Sequence, residues 1–242
     1  MAAATFRFYG ELATFIDRGR RGAAFDYACA RAATMKNAIE ALGVPHTEVG
    51  RLTVNGQPAT FPRIVRDGDA IEVFPYGPGD AAAEEAPAFI ADAHLGGLAR
   101  LLRMLGFDTR YDNAAADRDI VEYAARERRI VLTRDRELLK CREIARGCFV
   151  HPLKPEAQLR AVAGRYALER CMCPFTLCLH CNLRLVAIGK DEAATRVPDR
   201  IAAHYAQFMR CAGCERIYWQ GSHWARMHEM LRVALAPPVT AA

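Results

Sequence analysis

The sequence predicts an α/β protein built on a parallel sheet, with a small α+β unit ahead of it and a metal-clamped module behind it. Three observations carry this. From residue 88 onward short apolar runs alternate with helical stretches, the rhythm of strands joined by crossover helices. Four cysteines fall in two CxxC pairs, Cys178 with Cys181 and Cys211 with Cys214. Residues 77–87 (GPGDAAAEEAP) combine Gly, Pro, Ala and acids with no apolar period, which reads as a linker. The expected organisation is a unit over 1–76, the linker over 77–87, a sheet domain over 88–166 and a thiol-bearing module over 167–235.

The first unit opens on an alternating strand over 5–9. A helix over 35–42 follows and stops at Gly43, a natural helix-ending residue. Strands over 52–54 and 70–74 flank Asn55-Gly56 and Asp67-Gly68-Asp69. Asn-Gly is a strong hairpin signal because both residues tolerate positive φ. Strands around one helix in so short a unit predict a β-grasp.

The second domain begins with a buried strand over 88–91. A helix over 94–105 presents Leu95, Leu98, Leu101, Leu102 and Leu105 on one face and stops at Gly106. Next come a strand over 107–111, a helix over 117–127 with acids in its first turn, a strand over 129–133, a helix over 136–146, a strand over 148–150 and a helix over 155–166.

In such a sheet, ligands gather at the C-terminal ends of the strands. Asp92 directly follows the first strand and Asp135 the third; Asp117 and Asp119 start the helix leading into the third, and Asp112 follows the second. Carboxylates converging from separate strand ends repel one another unless a cation neutralises them. Hard oxygen ligands suit Mg²⁺ or Mn²⁺, ions that activate water for attack on a phosphodiester. Each acid taken singly also reads as a helix cap, Asp135 above all. Arg100 and Arg103 in the helix after Asp92, and Arg134 and Arg136 around Asp135, are placed to hold phosphates in two-pronged hydrogen bonds. Arg126, Arg128 and Arg129 read as solvation of a helix end.

Two residues between cysteines let both sulfurs face one tetrahedral ion, so the two pairs make a closed Cys₄ site of the structural zinc kind. The 29 residues between Cys181 and Cys211 exceed the usual ribbon spacing, so a segment is inserted between the knuckles. Cys171 and Cys173 lie just before the first knuckle with poorer spacing, and His180 between the first pair is expected on the surface. Tyr218, Trp219, His223 and Trp224 follow the second knuckle. Such rings either stack on unpaired bases or pack the module on the sheet domain; packing is expected of Trp219, while Trp224 stays open as an RNA contact.

Composition narrows the classes further. With 52% hydrophobic and 25% charged residues the chain is of ordinary globular type. No run approaches the ~18 apolar residues of a membrane span, and no charged-then-apolar leader is present at the N-terminus. Nine cysteines, an odd number, argue for a reducing cytoplasm. The net charge of +5 sits on the middle and C-terminal parts, which suits a polyanion such as RNA, although an arginine-rich solvated surface carries the same charge. No Ser-His-Asp order or Gly-rich phosphate loop stands out.

The stretches FIADAHLGGLARLLRMLGFD over 89–108 and RIVLTRDRELL over 129–139 resemble the Mut-seven C-terminal RNase domain. The module is similar too, through CLHCN over 178–182 and CAGCERIYWQGSHW over 211–224. The resemblance implies a PIN-like nuclease fold followed by a zinc ribbon, with RNA as substrate and products carrying a 5′-phosphate and a 3′-hydroxyl. It makes Asp92 and Asp135 metal-binding acids, with Asp117 or Asp119 as the middle acid. The first unit resembles the ubiquitin-like domain found ahead of this nuclease, akin to small sulfur carriers, through LTVNG over 52–56 and DGDAIEVFP over 67–75. Sulfur carriers need a free terminal Gly-Gly, whereas this chain runs on through Gly77-Pro78-Gly79, which implies docking of a protein partner or substrate handling instead.

The expectation is thus a metal-dependent endoribonuclease; the alternative is a catalytically silent RNA-binding or adaptor protein using the zinc ribbon and the β-grasp. A toxin-like nuclease held by an antitoxin has no support in the sequence beyond the fold.

Overall fold

The computed structural model describes residues 2–81 and 86–235. The N-terminal unit holds β1 (Ala2–Phe8), β2 (Phe25–Cys29), α1 (Met35–Ala41), β3 (Val49–Val54), β4 (Gln57–Pro58) and β5 (Ala70–Pro75). The strands lie in the order β2-β1-β5-β3-β4, with β1 and β5 parallel and the other pairs antiparallel. This is a β-grasp. Thr34 caps α1 by accepting the Asn37 N–H, and α1 lays Met35, Ala38 and Ile39 against Phe6, Leu52, Ile71 and Val73. Asn55 and Gly56 both take positive φ and close the β3–β4 hairpin, as their residue types require.

The following domain carries β6 (Phe89–Ala91), α2 (Gly96–Met104), β7 (Thr109–Tyr111), α3 (Asp117–Glu127), β8 (Ile130–Thr133), β9 (Gly147–Phe149) and α4 (Pro155–Tyr166). Its four strands are all parallel, in the order β7-β6-β8-β9. Alternate residues face opposite sides, so Phe89, Ala91, Ile130 and Leu132 enter one core with α2 and α4, while Ile90 and Val131 enter another with Ile120 and Ala124 of α3. Both faces are covered, as expected of a parallel sheet.

A three-stranded antiparallel sheet follows, β10 (Leu185–Ile188), β11 (Phe208–Cys211) and β12 (Ile217–Trp219), in that order. Two short helices, α5 (Lys190–Ala194) and α6 (Asp199–His204), lie in the insertion between β10 and β11 and, with Val197 between them, pack Ala193 and Ala202 on Phe208. The last helix, α7 (Ser222–Leu235), returns to the parallel-sheet domain and buries Leu231 in the same core as α2 and α4. The cysteine-bearing sheet is therefore flanked by elements of the domain it serves.

Two sequence expectations differ from the structure. The helix over 136–146 is one 3-10 turn, Leu138–Lys140. Leu138, Leu139 and Ile144 are buried without a helical period, and the Ile144 carbonyl faces His46 Nε2 at 3.1 Å. The start of the linker is docked: Gly77 N–H bonds Asp80 Oδ2 at 2.7 Å, Gly79 N–H bonds Gly164 O at 2.8 Å, and Ala81 packs on the core. Residues 82–85 of that stretch lie outside the described residues.

Candidate active site and thiol centre

Strand order fixes where a ligand can sit. From β6 the chain leaves toward β7 on one side, and from β8 it continues to β9 on the other. The crevice outside the C-terminal ends of β6 and β8 is thus the switch point of this sheet, where open α/β folds bind ligands. Asp92 follows β6 and Asp135 lies two residues beyond β8. The Thr133 hydroxyl, fully buried at the end of β8, donates to Asp92 Oδ2 at 2.7 Å and accepts the Asp135 N–H at 2.9 Å. A further backbone bond, Asp92 N–H to Leu132 O at 3.0 Å, holds the two strand ends together. Asp92 and Asp135 therefore share one rim.

Asp92 makes no side-chain cap bond to the turn after it. Asp135 does part of a cap's work, since its Oδ1 accepts the Glu137 N–H at 2.7 Å. The acids at the start of α3 divide. Asp119 Oδ2 accepts the Ala116 N–H at 3.2 Å and so caps its own helix. Asp117 is exposed and has no hydrogen-bond partner among the described residues. Burial first, and then the carboxylates of Glu143, Asp117 and Asp135, push the Cys141 thiol up, so Asp117 and Asp135 act on one common neighbour. Asp119 instead lines a cleft of about 820 Å³ with Asp112, Arg110, Tyr123 and His180. These oxygen donors are of the hard type that suits Mg²⁺ or Mn²⁺. Among the described residues, however, the tight convergence of three or more His, Cys, Asp or Glu ligand atoms occurs only at the four thiols.

The arginines also divide. Arg100 and Arg136 are exposed, and Arg136 Nε lies 3.5 Å from Glu137. Arg134 Nη1 donates to the carbonyls of Val150, His151 and Pro152 at 2.8–2.9 Å, clamping the turn after β9. Arg103, 6% exposed, bonds the carbonyls of Thr109, Leu179 and His180. Backbone carbonyls thus engage Nε and Nη1 of Arg103 and Nη1 of Arg134, two of the residues expected to hold phosphates. Trp224 is half-buried and packs on Phe175 and His228, with ring centroids 5.0 and 5.2 Å away.

The ligand atoms of Cys178, Cys181, Cys211 and Cys214 lie within 4.8 Å of one another. The two knuckles repeat one backbone pattern. Cys178 N–H bonds Leu183 O and Asn182 N–H bonds Cys178 O; likewise Cys211 N–H bonds Arg216 O and Glu215 N–H bonds Cys211 O. Asn182 and Glu215 both take positive φ to close the turns. Burial opposes ionisation of Cys178, but the Cys181 N–H at 3.3 Å and the Tyr218 hydroxyl at 3.2 Å bring its thiol down to about 6. A preformed set of four thiols this close together fits a thiophilic metal such as zinc. Cys171, Cys173 and His180 stand outside the set, as expected.

The first knuckle is riveted to the parallel sheet. Asn182 Oδ1 accepts the Thr109 N–H of edge strand β7 at 3.0 Å, its Nδ2 reaches Asp108 Oδ1 at 2.5 Å, and Arg103 reaches two knuckle carbonyls. Just past the C-terminal end of α2, Gly106 (φ +90°) lets residue 173 pass so close that a Cβ would sit 2.1 Å from Cys173 O. Sequence reasoning missed Asn182 and Thr133. A buried threonine closing an apolar strand, one residue before Arg-Asp, was the only available sign of the latter.

Fold and site together define a β-grasp unit joined to a parallel-sheet domain with acids at its switch point and a cluster of four thiols that could hold a metal. The chain belongs to the Mut7-C RNAse domain family, whose model matches residues 87–231, a nuclease-like assignment. Residues 1–78 match the model described as Mut7-C ubiquitin. No curated protein matches the chain. Among solved structures, H. volcanii small archaeal modifier protein 1 is similar at 20% identity over 31% of this chain and 98% of its own, with TM-score 0.25. The "putative molybdopterin converting factor, subunit 1" of Pyrococcus furiosus is similar at 14% identity over 31% and 98%, with TM-score 0.26. Among the described residues no helix is long and apolar enough to cross a membrane.

Proposed function

We propose that this protein is a metal-dependent endoribonuclease working at the crevice between the ends of β6 and β8, within a PIN-like domain. The observation that carries this reading is the Thr133 bridge, which holds two acids from distant parts of the chain on one rim. Asp92 and Asp135 would hold Mg²⁺ or Mn²⁺, with Asp117 as the third acid, because Asp119 is spent on capping its helix. Such an ion, when bound, supplies charge neutralisation and activation of water for attack on an RNA phosphodiester. Ions of this kind keep several waters and need only one or two carboxylates, so the acids need not converge as the thiols do.

The chain's own residues supply the rest. Thr133 fixes the Asp92 carboxylate in one orientation, and the Glu137 N–H does the same for Asp135. Arg136, next to Asp135, and Arg100, eight residues after Asp92, are both exposed and would take the RNA phosphates. Water would add to phosphorus as the bond to the 3′ oxygen breaks and that oxygen takes a proton, which leaves a 5′-phosphate and a 3′-hydroxyl on the products. Zinc on the four thiols would be structural, the β-grasp would offer a surface to a protein partner, and the reducing cytoplasm would keep the thiols available. The test is cleavage of a panel of unpaired and structured RNAs in Mg²⁺ and in Mn²⁺. Wild type should cut, and Asp92→Asn and Asp135→Asn should be slowed by about 100-fold or more. Equal rates in the variants would sink the assignment.

One observation favours a second reading, a catalytically silent RNA-binding adaptor: the converging metal ligands among the described residues are thiols, not carboxylates. An adaptor would bind RNA alike with or without added divalent ions and release it uncut.

A further inference from the structure

The β-grasp is fixed to the parallel-sheet domain by a buried junction. Glu48, 1% exposed, accepts the Phe149 N–H through Oε1 and an Arg165 N–H through Oε2, both at 2.8 Å. Phe149 belongs to β9, the edge of the sheet, so this carboxylate satisfies a donor that an edge strand leaves unpaired. Arg165 Nη2 also bonds Thr47 O at 2.7 Å and Gly147 O at 3.0 Å, and the guanidinium lies 4.5 Å from the Tyr76 ring centroid. Phe15 meets Phe149 edge-on at 5.1 Å and His151 at 5.5 Å.

These contacts fall on the segment that holds the catalytic rim. The carbonyls of Val150, His151 and Pro152 are the three acceptors of Arg134, the residue before Asp135. The Val150 N–H bonds the carbonyl of Thr133, the residue whose hydroxyl links Asp92 to Asp135. A continuous run of contacts therefore leads from Glu48 and Phe15, through 149–152, to Thr133 and Arg134.

We propose that the β-grasp unit is a brace for the catalytic rim: by clamping residues 147–152 it sets the position of Arg134 and Thr133, and through them of Asp135 and Asp92. Glu48 and Phe15 are positioning residues, and the proposal rests on the reading that this rim is catalytic. The face of the β-grasp carrying Phe15 and the 3-10 turn His46–Glu48 is committed to the brace and is not a recruiting surface.

The test compares full-length, zinc-loaded wild type with Glu48→Ala, Glu48→Gln and Phe15→Ala. Amide hydrogen exchange is followed at 133–138 and at 147–152, with the knuckle at 178–182 as control, alongside RNA cleavage kinetics per folded molecule. Glu48→Ala and Phe15→Ala should speed exchange at 133–138 by about tenfold while the knuckle stays protected. They should lower kcat by about 10- to 100-fold with KM for RNA within about twofold, and Glu48→Gln, which keeps an acceptor for Phe149, should recover part of the loss. If Glu48→Ala fails to fold, Phe15→Ala carries the test. Variants that loosen 147–152 yet keep wild-type protection at 133–138 and wild-type kcat would overturn the brace while leaving the nuclease reading intact. If wild type cuts no RNA but 133–138 still loosens in the variants, the brace stands and the nuclease reading falls.

Discussion

Thr133 and Asp92, 41 residues apart in the chain, are joined by a hydrogen bond of 2.7 Å from the threonine hydroxyl to the carboxylate. The same hydroxyl accepts the Asp135 N–H, so a single oxygen sets the relation between both acids of the rim. Thr133→Val keeps the shape but leaves a backbone N–H and a carboxylate oxygen without their partner. It should cost about 1–3 kcal/mol of stability and 10- to 100-fold in affinity for Mn²⁺. Thr133→Ser should restore most of both. Denaturant unfolding and Mn²⁺ titration measure the two effects separately.

The acids of α3 give a second comparison. Asp117 has no hydrogen-bond partner among the described residues, whereas Asp119 caps the helix. Asp117→Asn should lower the cleavage rate by about tenfold or more with little change in melting temperature. Asp119→Asn should leave the rate near wild type and cost about 0.5–1 kcal/mol of stability. The opposite pattern would exchange their roles.

Metal removal should act at a distance from the thiols. Arg103 and Asn182 bind the first knuckle to α2 and β7, so a collapsed knuckle strips the edge strand of its cover. Cys211→Ser, or chelation of the wild type, should abolish tight binding of one zinc equivalent and raise hydrogen exchange at 107–111. Intact protection there in zinc-free protein would contradict the coupling.

Acid stability of the β-grasp should depend on Asp69. Its bonds to Arg63, at 2.7 and 2.9 Å, and to the Arg66 N–H hold the carboxyl below its usual range, outweighing burial. A folded-state pKa below the unfolded one, about 3.9, means stabilisation present above that pH and lost as pH falls through the folded value. Asp69→Asn should therefore destabilise at pH 7, by about 1.5–3 kcal/mol for charge-assisted bonds, and the gap from wild type should narrow below about pH 4. A gap independent of pH would show that the ionised form is not what stabilises.

Much of this arrangement was legible in the sequence because local rules and tertiary packing agree there. The apolar face of α2, its stop at Gly106, the Asn55-Gly56 turn and the CxxC knuckles all form where residue type and spacing place them. Strand β2 was missed; its residues alternate between half-buried and exposed up to Cys29, so its apolar signal is weak. The helix expected over 136–146 gives way to three-residue turns, Lys140 N–H to Glu137 O, Cys141 N–H to Leu138 O and Ile144 N–H to Cys141 O, which bury Leu138, Leu139 and Ile144 in one core, a tertiary arrangement that no local pattern reveals. The backbone partners of Arg103 and Arg134 were hidden for the same reason. Arginine beside an acid reads as a phosphate ligand, whereas here backbone carbonyls brought in by folding take the guanidinium groups. Acids at strand ends could be found from the sequence, whereas the bond by which Thr133 joins them spans 41 residues and forms only on folding.

Mn²⁺ titration of zinc-loaded protein, followed by electron paramagnetic resonance, tests the central claim most directly. Wild type should show one weak oxygen-ligated site that Mg²⁺ displaces, lost in both Asp92→Asn and Asp135→Asn while the zinc content stays unchanged. Manganese binding that is absent from the wild type, or that survives unaltered in both variants, would contradict a metal site on this rim.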